Sequence, residues 1–146
     1  MARAIEAATV AAQAGDAQAF ADANAELAGV DRAQLLVLLG AVTREVLERS
    51  HPDGLDSDDA EQALQSCIRF AAGWYAELDS DPLIRALTGA LGVGEAAEEP
   101  AIDELALVAH GLLLICDQLV TSGQELAPLL DEALGELMRA QTIELP

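Results

Sequence analysis

Two histidines are the natural starting point for chemistry in this chain, because an imidazole trades protons near neutral pH. His110 lies one heptad after Asp103 and one heptad before Asp117. On a helix that spacing puts all three on one polar stripe, with carboxylates placed to favour a protonated ring. The plainer reading is a boundary histidine that hydrogen-bonds a neighbouring element. His51 precedes Pro52, so it falls at a helix end, where a cation complements the dipole. Cys67 and Cys116 are far apart and embedded in apolar helical patterns. That pattern points to buried, reduced thiols rather than a disulfide framework.

Carboxylates offer three further tests. Glu48-x-x-His51 has the spacing by which di-iron helical bundles hold metal. A second copy would be needed, yet Leu107 stands three residues before His110. Glu45-x-x-Glu48 and Glu95-x-x-Glu98 have the spacing of Mg²⁺-holding pairs in all-helical nucleotide pyrophosphohydrolases. Arg44 and Arg49 compete for the first pair, and the second falls in a loop-like stretch. The run Asp53, Asp56, Asp58, Asp59 and Glu61 fails the spacing of a calcium loop: from Asp53, position three is Leu55. Its structural reading is better, with Ser57 or Asp58 as a cap and acids in the first turn of a helix. The sequence has no Gly-rich phosphate loop, nucleophile elbow or Cys-x-x-Cys. The expectation is a chain that is not an enzyme and needs no cofactor or metal; a small Mg²⁺-dependent hydrolase is the alternative.

What remains is charge. Acids gather at Asp53 to Glu61 and again from Glu95 to Glu104, with Glu95, Glu98 and Glu99 as the patch candidates of the second run. If successive helices alternate up and down, both clusters lie at one pole and form an acidic patch for a basic surface. Capping and solubility alone would also explain them. The formal net charge of -19 opposes direct contact with nucleic acid or anionic membrane and favours a protein partner with a basic face. The expected function is therefore an adaptor, regulator or assembly component acting through protein–protein contact. An acidic mimic that blocks a nucleic-acid-binding protein is a further alternative.

These groups must be positioned by helices. No stretch alternates with the period of a half-buried strand, and β-branched residues are scarce. The length of 146 residues suits one domain, and 52% hydrophobic residues suffice for a core, although aromatics are only 3%. All seven basic residues are Arg, with no Lys, a composition that codon usage in a high-GC bacterium produces.

The expectation is an all-α, compact bundle of about six or seven helices in a single domain spanning 1–146. An Ala-rich helix pair occupies 1–28, with Asp16 as a cap after Gly15. A third helix at about 32–50 is capped by Asp31 and carries Leu35, Leu38, Leu39, Val42 and Val46 inward. Leu36, Val37 and Leu47 widen that stripe. A fourth helix runs from Asp58 to about Leu78. Asp81 caps a short fifth helix from Leu83 to Leu91, with Pro82 at its first position. An acidic loop at 92–100 leads to Pro100 and a sixth helix at about 101–121, apolar on nearly every side and therefore central with the third. Gly40 and Gly111, interior to these two central helices, predict a close crossing there. A seventh helix, from Ala127-Pro128 to about Ala140, points Leu130, Leu134, Leu137 and Met138 inward, and 141–146 forms an extended tail.

The apolar run Leu105 to Cys116 is shorter than the roughly 20 residues a bilayer demands, and Ala and an acid fill the place of a secretory core near the N-terminus. A cytoplasmic location is expected. Helices this apolar leave a stripe for self-association, so a homo-oligomer is also expected.

Overall fold

The computed structural model describes residues 1–92 and 103–144. Among them are seven α-helices and no strand: α1 Ala2–Ala14, α2 Ala17–Leu27, α3 Arg32–Ser50, α4 Ser57–Ala71, α5 Ser80–Leu91, α6 Glu104–Ser122 and α7 Leu126–Glu144. The all-α bundle expected from the sequence is the fold observed.

Aspartate starts the helices. Asp16, Asp31, Asp56, Asp79 and Asp103 each accept a backbone N–H in the first turn of α2 to α6. At α4 the arrangement is reciprocal: Asp56 accepts from the Asp59 N–H at 2.9 Å, and the Asp59 carboxylate accepts from the Asp56 N–H at 3.1 Å. This satisfies two donors that the helix itself leaves unpaired. At the other ends, Gly15, Gly92 and Gly123 turn the chain through the left-handed region.

Several boundaries differ from expectation. Asp56, rather than Ser57 or Asp58, caps α4. Asp79, rather than Asp81, caps α5, so Pro82 sits third in the helix, still inside the turn whose N–H groups need no intrahelical acceptor. Asp103, not Pro100, opens α6. The helical α7 continues to Glu144, through most of the expected extended tail. Met138 is 66% exposed rather than inward: among the described side chains of α7 the buried ones are Leu129, Leu130 and Ala133, and its main packing partner is α3.

The fourth helix ends at Ala71 and not near Leu78. The Trp74 and Tyr75 N–H groups bond back to the Ala71 carbonyl at 3.1 and 2.8 Å, and the chain turns. Leaving the helix lets both rings meet Phe20 of α2 edge-on, at centroid distances of 5.5 and 5.4 Å. Trp74 also covers Gly15 at the α1–α2 turn, and its indole N–H donates to the Phe70 carbonyl at 3.0 Å. The aromatic cluster thus replaces two turns of helix as the device that fixes α2 to α4.

The core is organised around α6. Every residue from Val108 to Leu119 is buried. Helices α1, α2, α3, α4 and α5 all pack on it. By length and composition α6 could cross a membrane. In the bundle it is the enclosed central helix, as expected from its all-round apolarity. Each fully buried aliphatic side chain here contributes roughly 1.5–3 kcal/mol relative to exposure.

Helices α3 and α6 run side by side in the same direction. Leu39 packs on Gly111, while the Gln124 amide just beyond α6 donates to the Val46 carbonyl and the Ser50 hydroxyl near the end of α3, both at 3.1 Å. Strict up-and-down alternation would have made them antiparallel. The close approach expected at Gly111 is present, but Gly40 faces elsewhere: a Cβ there would lie 3.9 Å from the Ala90 Cα of α5.

Candidate interaction face

The short helix α5 docks through Leu83, Leu87 and Ala90, its buried stripe. Either side of that stripe is flanked by a cleft. An inner cleft of about 720 Å³ lies along α3, with Val37, Gly40 and Ala41 facing Ala86 and Gly89 of α5 and Leu107 and Gly111 of α6. A corner cleft of about 820 Å³ lies where α3 turns into α4, with Leu55, Ala60 and Leu64 facing Leu87, Thr88 and Leu91. Arg44 and Glu48 of α3 line both. Their side chains are bridged, Nε to Oε1 at 2.7 Å, on an exposed ridge between the clefts. Val37 on the inner wall is 60% exposed, and Ile84 is also exposed on α5. Val37, expected to widen the inward stripe, therefore faces outward.

The acidic run surrounds the corner cleft. Asp56 and Asp59 are engaged in the capping box. Asp59 also lies 3.6 Å from Nε2 of His51, whose Nδ1–H donates to the Leu47 carbonyl at 2.9 Å. Asp53, Asp58 and Glu61 are exposed, and Asp56 and Glu61 line the cleft itself. Leu91, the last residue of α5, lines this cleft together with Gly54 and Asp56. Asp103 and Glu104 lie at the end of α6 opposite the one beside His51, so these two acids of the second cluster do not share the pole of the first. Glu95, Glu98 and Glu99 lie outside the described residues.

The stripe Asp103, His110, Asp117 does not form a site. Seven residues of helix advance roughly 10 Å, so the three groups stay apart. Asp103 caps α6, its carboxylate accepting from the Leu105 N–H at 2.9 Å. His110 is not on a polar edge: it is 1% exposed. Its Nε2 accepts the Asp79 N–H at 3.0 Å, which leaves the proton on Nδ1 to donate to the Ala106 carbonyl at 2.7 Å. Burial pushes its pKa below the ordinary imidazole value, opposed by the Ala106 bond and the Asp79 charge. The ring is a neutral strut joining α5 to α6, and it stacks edge-on against Tyr75.

Asp117 is 4% exposed, and its Oδ2 lacks a hydrogen-bond partner. Burial raises its pKa, against the opposing pull of Ser66, Arg69 and Gln118. Cys67 and Cys116 are buried and free. Burial pushes the Cys116 thiol up to about 12 and the Cys67 thiol higher still, so both stay protonated and unreactive. Cys116 donates to the Thr9 carbonyl at 3.3 Å.

Glu48 is held by Arg44 and Glu45 by Arg49 at 2.8 Å, and Arg49 reaches on to Glu132 of α7 at 3.0 Å. Both members of the Glu45–Glu48 pair thus carry an Arg bridge on the exposed face of α3. Among the described residues no three His, Cys, Asp or Glu side chains converge as a metal-holding group.

Compared with family models, curated proteins and solved structures, the chain matches none. The sequence does not single out the cleft walls: Val37, Leu55, Leu64, Thr88 and Leu91. One signal was present. The third helix carries more apolar positions than one inward stripe can bury, and Val37 is the surplus.

Proposed function

We propose that this chain is a non-enzymatic, cytoplasmic helical domain that binds a protein partner through the face around α5. The observation that carries the reading is the pair of clefts on that face. They flank one short helix and have aliphatic walls; one wall leaves Val37 60% exposed. Grooves between helices are common docking sites for an amphipathic segment, whose anchors fill the groove while rim charges set orientation. The chain's net charge of -19 favours a partner with a basic surface and opposes a nucleic acid.

The test is affinity capture from the native host with the wild-type chain and a Val37→Glu variant, at low and high salt. Val37 is exposed, so the substitution should leave the fold intact. Specific partners should be retained by the wild type and lost by the variant. Identical captured sets from both proteins would exclude the inner cleft and leave only the corner cleft of this face, and an empty set would exclude the interaction role. Light scattering at micromolar concentration separates a second copy of this chain from a foreign partner.

A further inference from the structure

The floor and the rim of the corner cleft differ in character. The floor is aliphatic, formed by Leu55, Ala60, Leu64, Leu87 and Leu91. On the rim, Glu48, Asp56 and Glu61 face one guanidinium, Arg44, which already spends its Nε on Glu48. Two helices end beside the cleft, α3 at His51 and α5 at Gly92, and their carbonyl ends add partial negative charge. The helix N-terminus beside it, that of α4, is already met by Asp56, Asp58 and Asp59. The local field therefore selects cations.

Building on the interaction reading above, we propose that the corner cleft docks a basic amphipathic segment of a partner protein. Aliphatic side chains of that segment lie on the leucine floor, and Lys or Arg side chains meet Glu61 on the rim and the exposed Asp53 and Asp58 beyond it. The volume of about 820 Å³ is within the range of ligand-holding clefts. The charge does not stop at the walls: Asp53 and Asp58 are exposed just outside them. A ligand that uses all of this charge is longer than the cleft, which favours a peptide segment over a small organic cation. The segment's basic residues, rather than hydrogen bonds from a sheet edge, supply the register, since the face is built entirely of helices and one turn.

Fluorescence anisotropy tests the assignment with a labelled amphipathic peptide of about 15 residues made of Leu, Ala and Arg, long enough to form helix on binding. Two control peptides replace Arg by Gln, or Leu by Ser. The protein is used as wild type and as three variants: Glu61→Lys on the rim, Ser57→Trp at the mouth, and Glu26→Lys on α2, away from the cleft. Each protein is also followed in a circular-dichroism melt. The Leu/Arg peptide should bind the wild type, weaken as salt is raised, and bind Glu61→Lys about fivefold more weakly. Ser57→Trp should weaken it about tenfold by filling the mouth, and Glu26→Lys less than about twofold. If Ser57→Trp does not fold, Glu61→Lys against Glu26→Lys decides. Equal losses in those two would mean diffuse attraction to an acidic surface and overturn the proposal. So would equal binding of either control peptide. No peptide binding alongside a Val37-sensitive capture overturns the corner assignment alone; failure of both removes the interaction reading as well.

Discussion

The centre of α6 and the start of α4 use the same residue types to opposite ends. Each has a histidine and acidic side chains within a few residues. In α6 they are walled in: His110 is neutral and doubly bonded, and Asp117 carries an orphaned oxygen. Around α4 they are wet: His51 faces Asp59, two aspartates cap the helix, and Asp53, Asp58 and Glu61 stay exposed. Burial converts ionisable groups into structural parts, whereas exposure leaves their charge available to a partner. A search by histidine and carboxylate spacing alone settles on the buried region, because the α6 stripe has the tidier pattern while the α4 corner has the accessible charge.

The contrast is sharpest in the cost of deleting a side chain. Leu112→Ala in the centre of α6 should cost about 2–5 kcal/mol in urea unfolding, because the side chain is fully buried. Leu91→Ala, half-buried in the cleft wall, should cost well under half of that. Comparable losses would mean the corner cleft is closed core.

His110→Ala comes next, at about 1–3 kcal/mol, since the Asp79 N–H loses its acceptor at a buried site. The same ring gives a pH signature. Its folded pKa is lowered, so below the ordinary value of 6.5 the unfolded chain binds a proton that the folded chain resists. Wild-type stability should therefore fall as pH drops from about 6.5 towards the folded pKa, and His110→Ala should lose that slope. Thermal melts at several pH values measure both.

Asp117 slopes the other way. Its folded pKa is raised above 3.8, so its contribution is complete in acid and is lost as pH rises through the folded value. Asp117→Asn should flatten that dependence and stabilise the protein at neutral pH by about 1 kcal/mol, by removing a buried charge with an unpartnered oxygen. A loss of stability at neutral pH would show that Ser66 and Arg69 more than repay the burial.

At the wet region the effects shrink. Asp56→Ala should cost about 1 kcal/mol through the broken capping box. Glu61→Lys should change stability by less than about 0.5 kcal/mol, because the side chain is exposed and bears no cap. A large effect at Glu61 would make the rim structural.

The longest apolar periods made the fold legible in the sequence. Leu35, Leu38, Leu39, Val42 and Val46 sit buried on α3 as their spacing requires, and the all-round apolarity of α6 marked it as central. Boundaries slipped where signals compete. In Leu55-Asp56-Ser57-Asp58-Asp59 and in Asp79-Ser80-Asp81-Pro82 several residues are competent caps, and the one used is set by backbone entry angle, a tertiary property. The end of α4 was overrun because Trp74 and Tyr75 keep the helical period while packing from a turn. His110 bonds a neighbouring element, as its plainer reading expects, but its full burial is not legible because its partner, the Asp79 N–H, is 31 residues away and arrives only when α5 docks. The clefts were illegible for a similar reason. They exist because α3 and α6 run parallel and α5 lies against them, and no local pattern encodes that.

The most direct test of the account is an amide NMR titration of the intact chain with the Leu/Arg peptide. Shift changes should concentrate at Glu48, Leu55, Glu61, Thr88 and Leu91, with the α1–α2 pair silent. Changes scattered over acidic residues of every helix, or centred on α1 and α2, would contradict it.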